Sequence, residues 1–546
     1  MNSVRTFAAL PVSVKSATDI ELDECEVLLR HAIEILRDSL YGSRSTRSLV
    51  NDGAETAGKL VSSAPVLPAS PRRSRKVTGR TVTRIIGRIL FTLAMLAVTG
   101  FMLLVLIGSL ADFFNEPNGV ITEAERARQA IRFERLAPRP GFEPGLKLVG
   151  IGAVGSANLG MSVALSADGN TAIVGGPGPN NADRDRSPFI GPAGAAWVFT
   201  KTGGIWTQQG KKLVGSNSEH GGGLWSQGAS VALSANGNTA IVGGPSDNRT
   251  TGAAWAFTRT GGVWAQQGDK LVGTGAARAG EPQTTLGQGM SVALSADGNT
   301  AIVGGWRSEG AWVFTRNDGN WTRQGKKLVG TGALGDARQG MSVALSADGN
   351  IAIVGGWSDN NKTGAAWVFT RSGGVWTQQG KKLVGSGAVG RACQGTSVAL
   401  SADGNTAILG GPGDDPENRS VPFGLGASGA AWVFTRSGGV WTQQGDKLVS
   451  TGAAGSARQG MSVALSADGN TAIVGGLVGD GGAGAASTFT RSGNHWTQDK
   501  RLVGTGPMAV SSVAMSGDGS VIIVGGSNDG GGVGAAWVFR GGAASE

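Results

Sequence analysis

Histidine and tyrosine are scarce in this chain. Its three histidines (His31, His220, His495) and single tyrosine (Tyr41) are too scattered for a histidine-ligated metal or a histidine-based triad. Carboxylates crowd at Asp414, Asp415 and Glu417, the local set from which a hydrolase's acid and base could be drawn. Segments 150–155 (GIGAVG), 330–335 (GTGALG) and 385–390 (GSGAVG) match the glycine pattern that cradles a dinucleotide. That use requires a helix to follow. Strand-like sequence follows each one here, so the pattern reads as a recurring loop.

The loops belong to a repeat. Leu-Val followed by Gly or Ser recurs at Leu148, Leu213, Leu271, Leu328, Leu383, Leu448 and Leu502. Each unit holds four strand-like runs, as in SVALS (342–346), IAIVGG (351–356), AAWVFT (365–370) and VWTQQGKKLVG (375–385). Asp-Gly joins the first pair and Gly-Gly the second, supplying the positive φ that tight hairpins need. Seven units of four antiparallel strands predict an all-β, seven-bladed propeller over residues 147–546. The last unit stops after its third strand (AAWVFR, 535–540), while the array opens on an orphan KLVG (147–150). The orphan is expected to complete the last blade and close the ring. Closure also removes the sheet edges on which chains aggregate.

Of 15 tryptophans, six fall in the third strand and six begin the fourth. Fixed positions argue for packing between blades. Trp225, Trp306 and Trp357 fall in loops instead.

The chain ahead of the repeats has other patterns. Residues 1–42 contain an amphipathic helix over 19–41, expected to pair in a homodimer or dock on a partner. Residues 43–88 read as a disordered basic linker. Residues 89–111 are 23 uncharged residues, enough to span a bilayer core of about 30 Å. Seven Lys/Arg between Arg72 and Arg88 precede them, and acidic residues (Asp112, Glu116, Glu123, Glu125) follow. This bias puts the N-terminus in the cytoplasm and the repeats outside a cell membrane crossed once. Residues 112–146 form a stalk. Cys25 and Cys393 then lie on opposite sides, so no disulfide is expected. From Leu148 onward 28 Lys/Arg face 24 Asp/Glu, which gives no electrostatic case for nucleic acid.

Residues 148–540 resemble the FG-GAP repeats of integrin α subunits and bacterial surface proteins. The resemblance rests on Asp-Gly hairpins, on Gly-Gly-Pro after the second strand (175–177, 243–245, 410–412), and on Gln-Gly (339–340, 394–395) where the family has Phe-Gly. It implies an extracellular binding or adhesion propeller. Calcium-binding members carry several carboxylates between the first two strands, because Ca²⁺ takes six to eight oxygens. Here each turn keeps one Asp before Gly (Asp168, Asp297, Asp348, Asp403, Asp468, Asp518) or Asn236. Calcium is thus implied by the resemblance and opposed by the residues, and no cofactor or metal is expected. A sialidase-like propeller would need a tyrosine nucleophile, which the repeats lack.

The turns after the first and third strands are nearly uniform. The loops after the second strand and between blades vary, and they share the opposite face. Trp225, Trp306, Arg307, Trp357, Asp359, Asp414, Asp415 and Glu417 fall there and are the candidate ligand-face residues. Exposed tryptophan beside charge suits a glycan or protein. The sequence is therefore read as a non-enzymatic, membrane-anchored binding module. The alternatives are a sensing or assembly protein coupled to the cytoplasmic helix, and an uncharacterised hydrolase.

Overall fold

The computed structural model describes residues 145–540, apart from 154, 179–193, 219–225, 275–286, 306, 308–309, 416–426, 452–456, 478–483 and 504–509. The expected helix at 19–41, linker at 43–88, span at 89–111 and stalk up to 144 lie outside the described residues. Among the described residues no helix is long and apolar enough to cross a membrane.

The described residues fold into seven four-stranded antiparallel sheets, the blades of an all-β propeller. In blade 4 the strands run, from the inside outward, Ser342–Leu345, Ile351–Gly356, Ala365–Ser372 and Val375–Gln378. The outer strand is shorter than its sequence suggests. The chain swells outward at Gly380 (φ +70°) and rejoins the sheet where Leu383 pairs with Ala366. In blades 3 and 6 the outer strand is continuous (Asn320–Leu328, His495–Val503).

Successive residues of a strand point to opposite faces. Here both faces are covered, which is why the second and third strands read as unbroken apolar runs. Ile351 and Ile353 join blade 5's Trp432 and Leu409 in one cluster, while Ala352 and Val354 join Trp367 and blade 3's Val313 in another. Seven such clusters fill the seven interfaces between blades.

The ring closes as the orphan motif requires. Leu146–Leu148 pairs antiparallel with Ala535–Arg540, in register Leu146↔Val538, Lys147↔Trp537 and Leu148↔Ala536. Lys147 also bridges to Asp529 at 2.6 Å and stacks 5.6 Å from the Trp537 ring centroid.

Three polar systems tie blade to blade. At the innermost turns each backbone N–H donates to the next blade's carbonyl: Ala167 to Ala235, then Ala296, Ala347, Ala402, Ala467, Gly517 and back to Ala167, at 2.7–2.9 Å. On the inner strands Ser162, Ser230, Ser342, Ser397 and Ser512 donate to glycine carbonyls of the following blade at 2.8–3.0 Å. On the outer rim the Gln before Gly in the fourth strand (TQQG in blades 1, 4 and 5, AQQG in blade 2, TRQG in blade 3) accepts from its neighbour. Gln324 Oε1 takes Trp376 Nε1 and Arg371 Nη1, each at 3.1 Å, and the Arg371 guanidinium lies 5.4 Å from the Trp376 centroid. Equivalent bonds to Gln209, Gln267, Gln379 and Gln444 link blades 1/2, 2/3, 4/5 and 5/6. At the closing seam Lys201 replaces the arginine. There Trp206 is 3% exposed and shares an apolar cluster with Leu146.

The Asp-Gly turns satisfy their own carboxylates. In blade 4 Ser346 Oγ donates to Asp348 Oδ1 at 2.5 Å, and the Asn350 backbone N–H and side-chain amide donate to its two oxygens at 2.9 and 3.0 Å. Burial alone would raise this carboxyl. The Ser346 hydroxyl, the Asn350 amides and the Arg371 charge outweigh it and hold the group below its ordinary 3.8. Asp168, Asp297, Asp403, Asp468 and Asp518 are lowered as well, Asp518 chiefly by the Ser516 hydroxyl. A folded value below the unfolded one contributes stability that is present above the unfolded pKa and lost as pH falls through the folded one, here below about pH 4. Blade 2 builds the same turn without charge. Asn236 Oδ1 accepts from Ser234 Oγ at 2.7 Å and from Asn238 N at 2.9 Å. Asp348→Asn should therefore keep the turn and lose stability less steeply than wild type on acidification. Denaturant midpoints at about pH 6 and about pH 3 measure this, and parallel pH dependences would refute it.

Candidate functional site

The loops after each second strand and the links between blades gather on one face, opposite the uniform hairpins. In blade 4 the loop runs Trp357-Ser358-Asp359-Asn360-Asn361-Lys362, and the link before it carries Leu334. Asp359 is 0% exposed. Its Oδ1 accepts the Leu334 N–H at 2.7 Å, and its Oδ2 meets Lys382 Nζ at 2.5 Å. Asp414 repeats this in blade 5, with Val389 N at 2.7 Å and Lys447 at 2.5 Å. Asp247 with Lys270 (2.8 Å) and Asp529 with Lys147 (2.6 Å) make the same pair in blades 2 and 7. The lysine is always the one in the Lys-Leu-Val motif. A buried carboxylate holding a lysine and a backbone N–H is a lock on loop and link.

Five of the eight candidate residues are described. Asp359, Asp414 and Asp415 lie inside, Asp415 being 2% exposed. Arg307 and Trp357 are partly exposed. Trp225, Trp306 and Glu417 lie outside the described residues. Sequence reasoning passed over two further residues of this face, Lys362 beside Trp357 and Leu334 on the link. Lys362 Nζ stands 5.8 Å from the Trp357 ring centroid, a cation–π distance. Leu334 is 56% exposed, and its carbonyl accepts the Asn360 N–H at 2.9 Å, which joins the link to this loop.

The loop is also strained. Asn360, Asn361 and Lys362 take φ of 47°, 54° and 71°, left-handed values that side chains disfavour. Blade 7 makes the same turn with Gly530, Gly531 and Gly532, which bear such φ without cost. Asn361→Gly should therefore stabilise the protein by about 0.5–1 kcal/mol, the relieved strain less glycine's unfolded-state entropy. Equilibrium denaturation checks it, and a loss of stability would contradict it.

Cys393 sits below this face in the next link. Burial pushes its thiol up to about 11, against the opposing charges of Lys362, Arg458 and Arg391. It is therefore no nucleophile at neutral pH. Among the described residues no group of three or more His, Cys, Asp and Glu side chains could hold a metal ion.

No family model matches the chain, and a search of curated proteins finds no match. Solved structures resemble the chain at low identity. A Bacteroides uniformis protein described as a 6-phosphogluconolactonase is 12% identical at TM-score 0.44, covering 63% of this chain and 85% of its own. The periplasmic gluconolactonase of Pseudomonas aeruginosa is 17% identical at TM-score 0.40, with the same coverage. Hydrazine synthase of Kuenenia stuttgartiensis is 12% identical at TM-score 0.44, covering 74% of this chain and 99% of its own.

The sequence reading of a non-enzyme is not upheld, and two of these three structures are named as lactonases. Counting His and Tyr tests only chemistries that use them, and carboxylates and lysines also serve as general bases. At these TM-scores no residue correspondence follows, and no reaction passes from those proteins to this chain.

Proposed function

We propose that this chain is a membrane-tethered extracytoplasmic propeller that binds a protein or glycan partner through the face of variable loops and links. One observation carries the reading: the repeating polar motifs are used up inside the ring. The Asp-Gly turns, the TQQG glutamines, the inner serines and the Lys–Asp locks all have partners within or between blades. Recognition then falls to what does not repeat, and in blade 4 that is Trp357 with Lys362 and Leu334. An indole edge, a cation and an exposed aliphatic side chain together suit a sugar ring or a peptide side chain. The tether is supported by the uncharged stretch at 89–111 and the basic cluster before it. The likeness of the repeats to FG-GAP modules supports the same role.

The test is a glycan array and a surface-protein capture with the full-length chain in nanodiscs. Trp357→Ala should weaken a captured ligand about tenfold, the scale of one aromatic anchor. Unchanged binding by that variant would place recognition elsewhere.

A further inference from the structure

Six of the seven blades bury a tryptophan at one position of the third strand, and blade 6 has Ser487 there. The contrast defines a site. In blade 4 the Trp367 ring is wedged between blades, its Nε1 donating to the Thr331 carbonyl at 2.8 Å. Its ring lies so close to Gly330 and Gly356 that a Cβ on either would collide with it. Blades 1, 2 and 5 repeat the wedge, with Nε1 donating to Ile151, Ser216 and Ser386.

Blade 6 keeps the frame and changes the contents. Ser487 pairs with Val474 in the register by which Trp367 pairs with Val354, and it is 2% exposed. The glycine that must face the ring is Ser450, a residue tolerated only where no indole stands on it. Gly476 stays beside the Ala457 carbonyl, as Gly176, Gly356 and Gly411 stay beside those of Ala157, Ala337 and Ala392, but it lacks the tryptophan ring that those glycines and Gly244 also face. The hydrogen-bond acceptor also stays. Thr451 N is held by Gln498 Oε1 at 2.7 Å, as Thr331 N is held by Gln378 Oε1 at 2.7 Å, so the two carbonyls are fixed alike.

A second observation points into the same place. In blade 4 Gln339 closes a two-way bond with Gly330, accepting its N–H at 2.6 Å and donating Nε2 to its carbonyl at 2.9 Å. Gln459 accepts the Ser450 N–H at 2.6 Å, but its Nε2 is buried with no partner, and the residue is 4% exposed. An amide donor shut away from water and left unpaired is costly, and a ligand atom that accepts from it removes the cost.

We propose that the blade 5/6 interface holds a slot for a small planar bicyclic N-heteroaromatic molecule bearing one N–H donor and one ring acceptor. The ring takes the place the indole holds in the other blades, against Gly476. Its N–H donates to the Thr451 carbonyl, and its acceptor faces the Gln459 amide and the Ser450 and Ser487 hydroxyls. A planar ring seated where the indole stands in the other blades, met by fixed polar groups, is selected for shape and for hydrogen-bond pattern together.

Benzimidazole is the probe, titrated calorimetrically into the full-length protein. One saturable site is expected. Indole, which lacks the acceptor, should bind about tenfold more weakly, because it leaves the amide unpaired. The double variant Ser487→Trp/Ser450→Gly restores the blade's own indole with the glycine it needs. It should melt at or above the wild-type temperature and lose benzimidazole binding. Absence of saturable binding up to the probe's solubility limit would overturn the proposal. So would benzimidazole binding that persists in the double variant, or indole binding as tight as benzimidazole.

Discussion

Leu148→Ala should destabilise the ring by about 3 kcal/mol, the usual cost of truncating a buried leucine in a packed site. Leu148 is 1% exposed and belongs to the cluster that joins blade 7 to blade 1. It also sits on a strand of only three residues, so its side chain is a large share of what holds that strand in place. At the five interfaces from blades 1/2 to 5/6 an arginine, a glutamine and a tryptophan stitch the rim. At this seam Lys201 and an apolar contact stand in their place. Loss of Leu148 should thus cost more than loss of its counterpart Leu383, which the outer strand Val375–Gln378 precedes on the same edge. Urea unfolding of the two alanine variants decides this, and equal losses would mean that the closing strand is no weaker than any other.

Trp367→Ala should cost about 4 kcal/mol, at the upper range for a buried aromatic. Trp367 is 0% exposed and its N–H is bonded to Thr331. Trp376, on the rim of the same blade, is partly exposed and bonded to Gln324. Trp376→Phe keeps an aromatic ring, smaller than the indole, and removes the Nε1 hydrogen bond to Gln324, so about 1 kcal/mol is expected at this partly exposed position. The pair separates the two tryptophan sets that look alike in sequence. Comparable losses from both variants would show that the rim carries as much stability as the interior.

The architecture was legible in the sequence because a blade repeats and a repeat can be aligned with itself. The orphan Lys-Leu-Val-Gly announced the closing strand for the same reason: it was a fragment of a known unit in an unexpected place. The Lys–Asp locks were not legible. Asp359 and Lys382 belong to different motifs, and only the pairing of the third and outer strands sets one beside the other. Asp359 and Asp414 therefore looked like loop carboxylates free to meet a ligand, when the fold turns them inward. The TQQG glutamines were passed over for a related reason. Each bonds to another blade, and sequence read one repeat at a time cannot show that. Trp357 could be placed on the right face from topology alone, but Lys362 and Leu334 join it through a strained turn that no residue pattern in blade 4 advertises.

The innermost turns close a circuit of seven backbone hydrogen bonds, all pointing the same way around the axis. A peptide unit is a dipole, and in a helix the dipoles add along the axis to leave charged ends. Around a circle the same dipoles lie nearly tangential, and their vectors cancel. The backbone circuit at this mouth therefore has no net dipole along the axis. Its backbone draws neither anions nor cations, so any preference for charge at this mouth belongs to side chains, chief among them the Asp-Gly carboxylates of the same turns, which are held ionised.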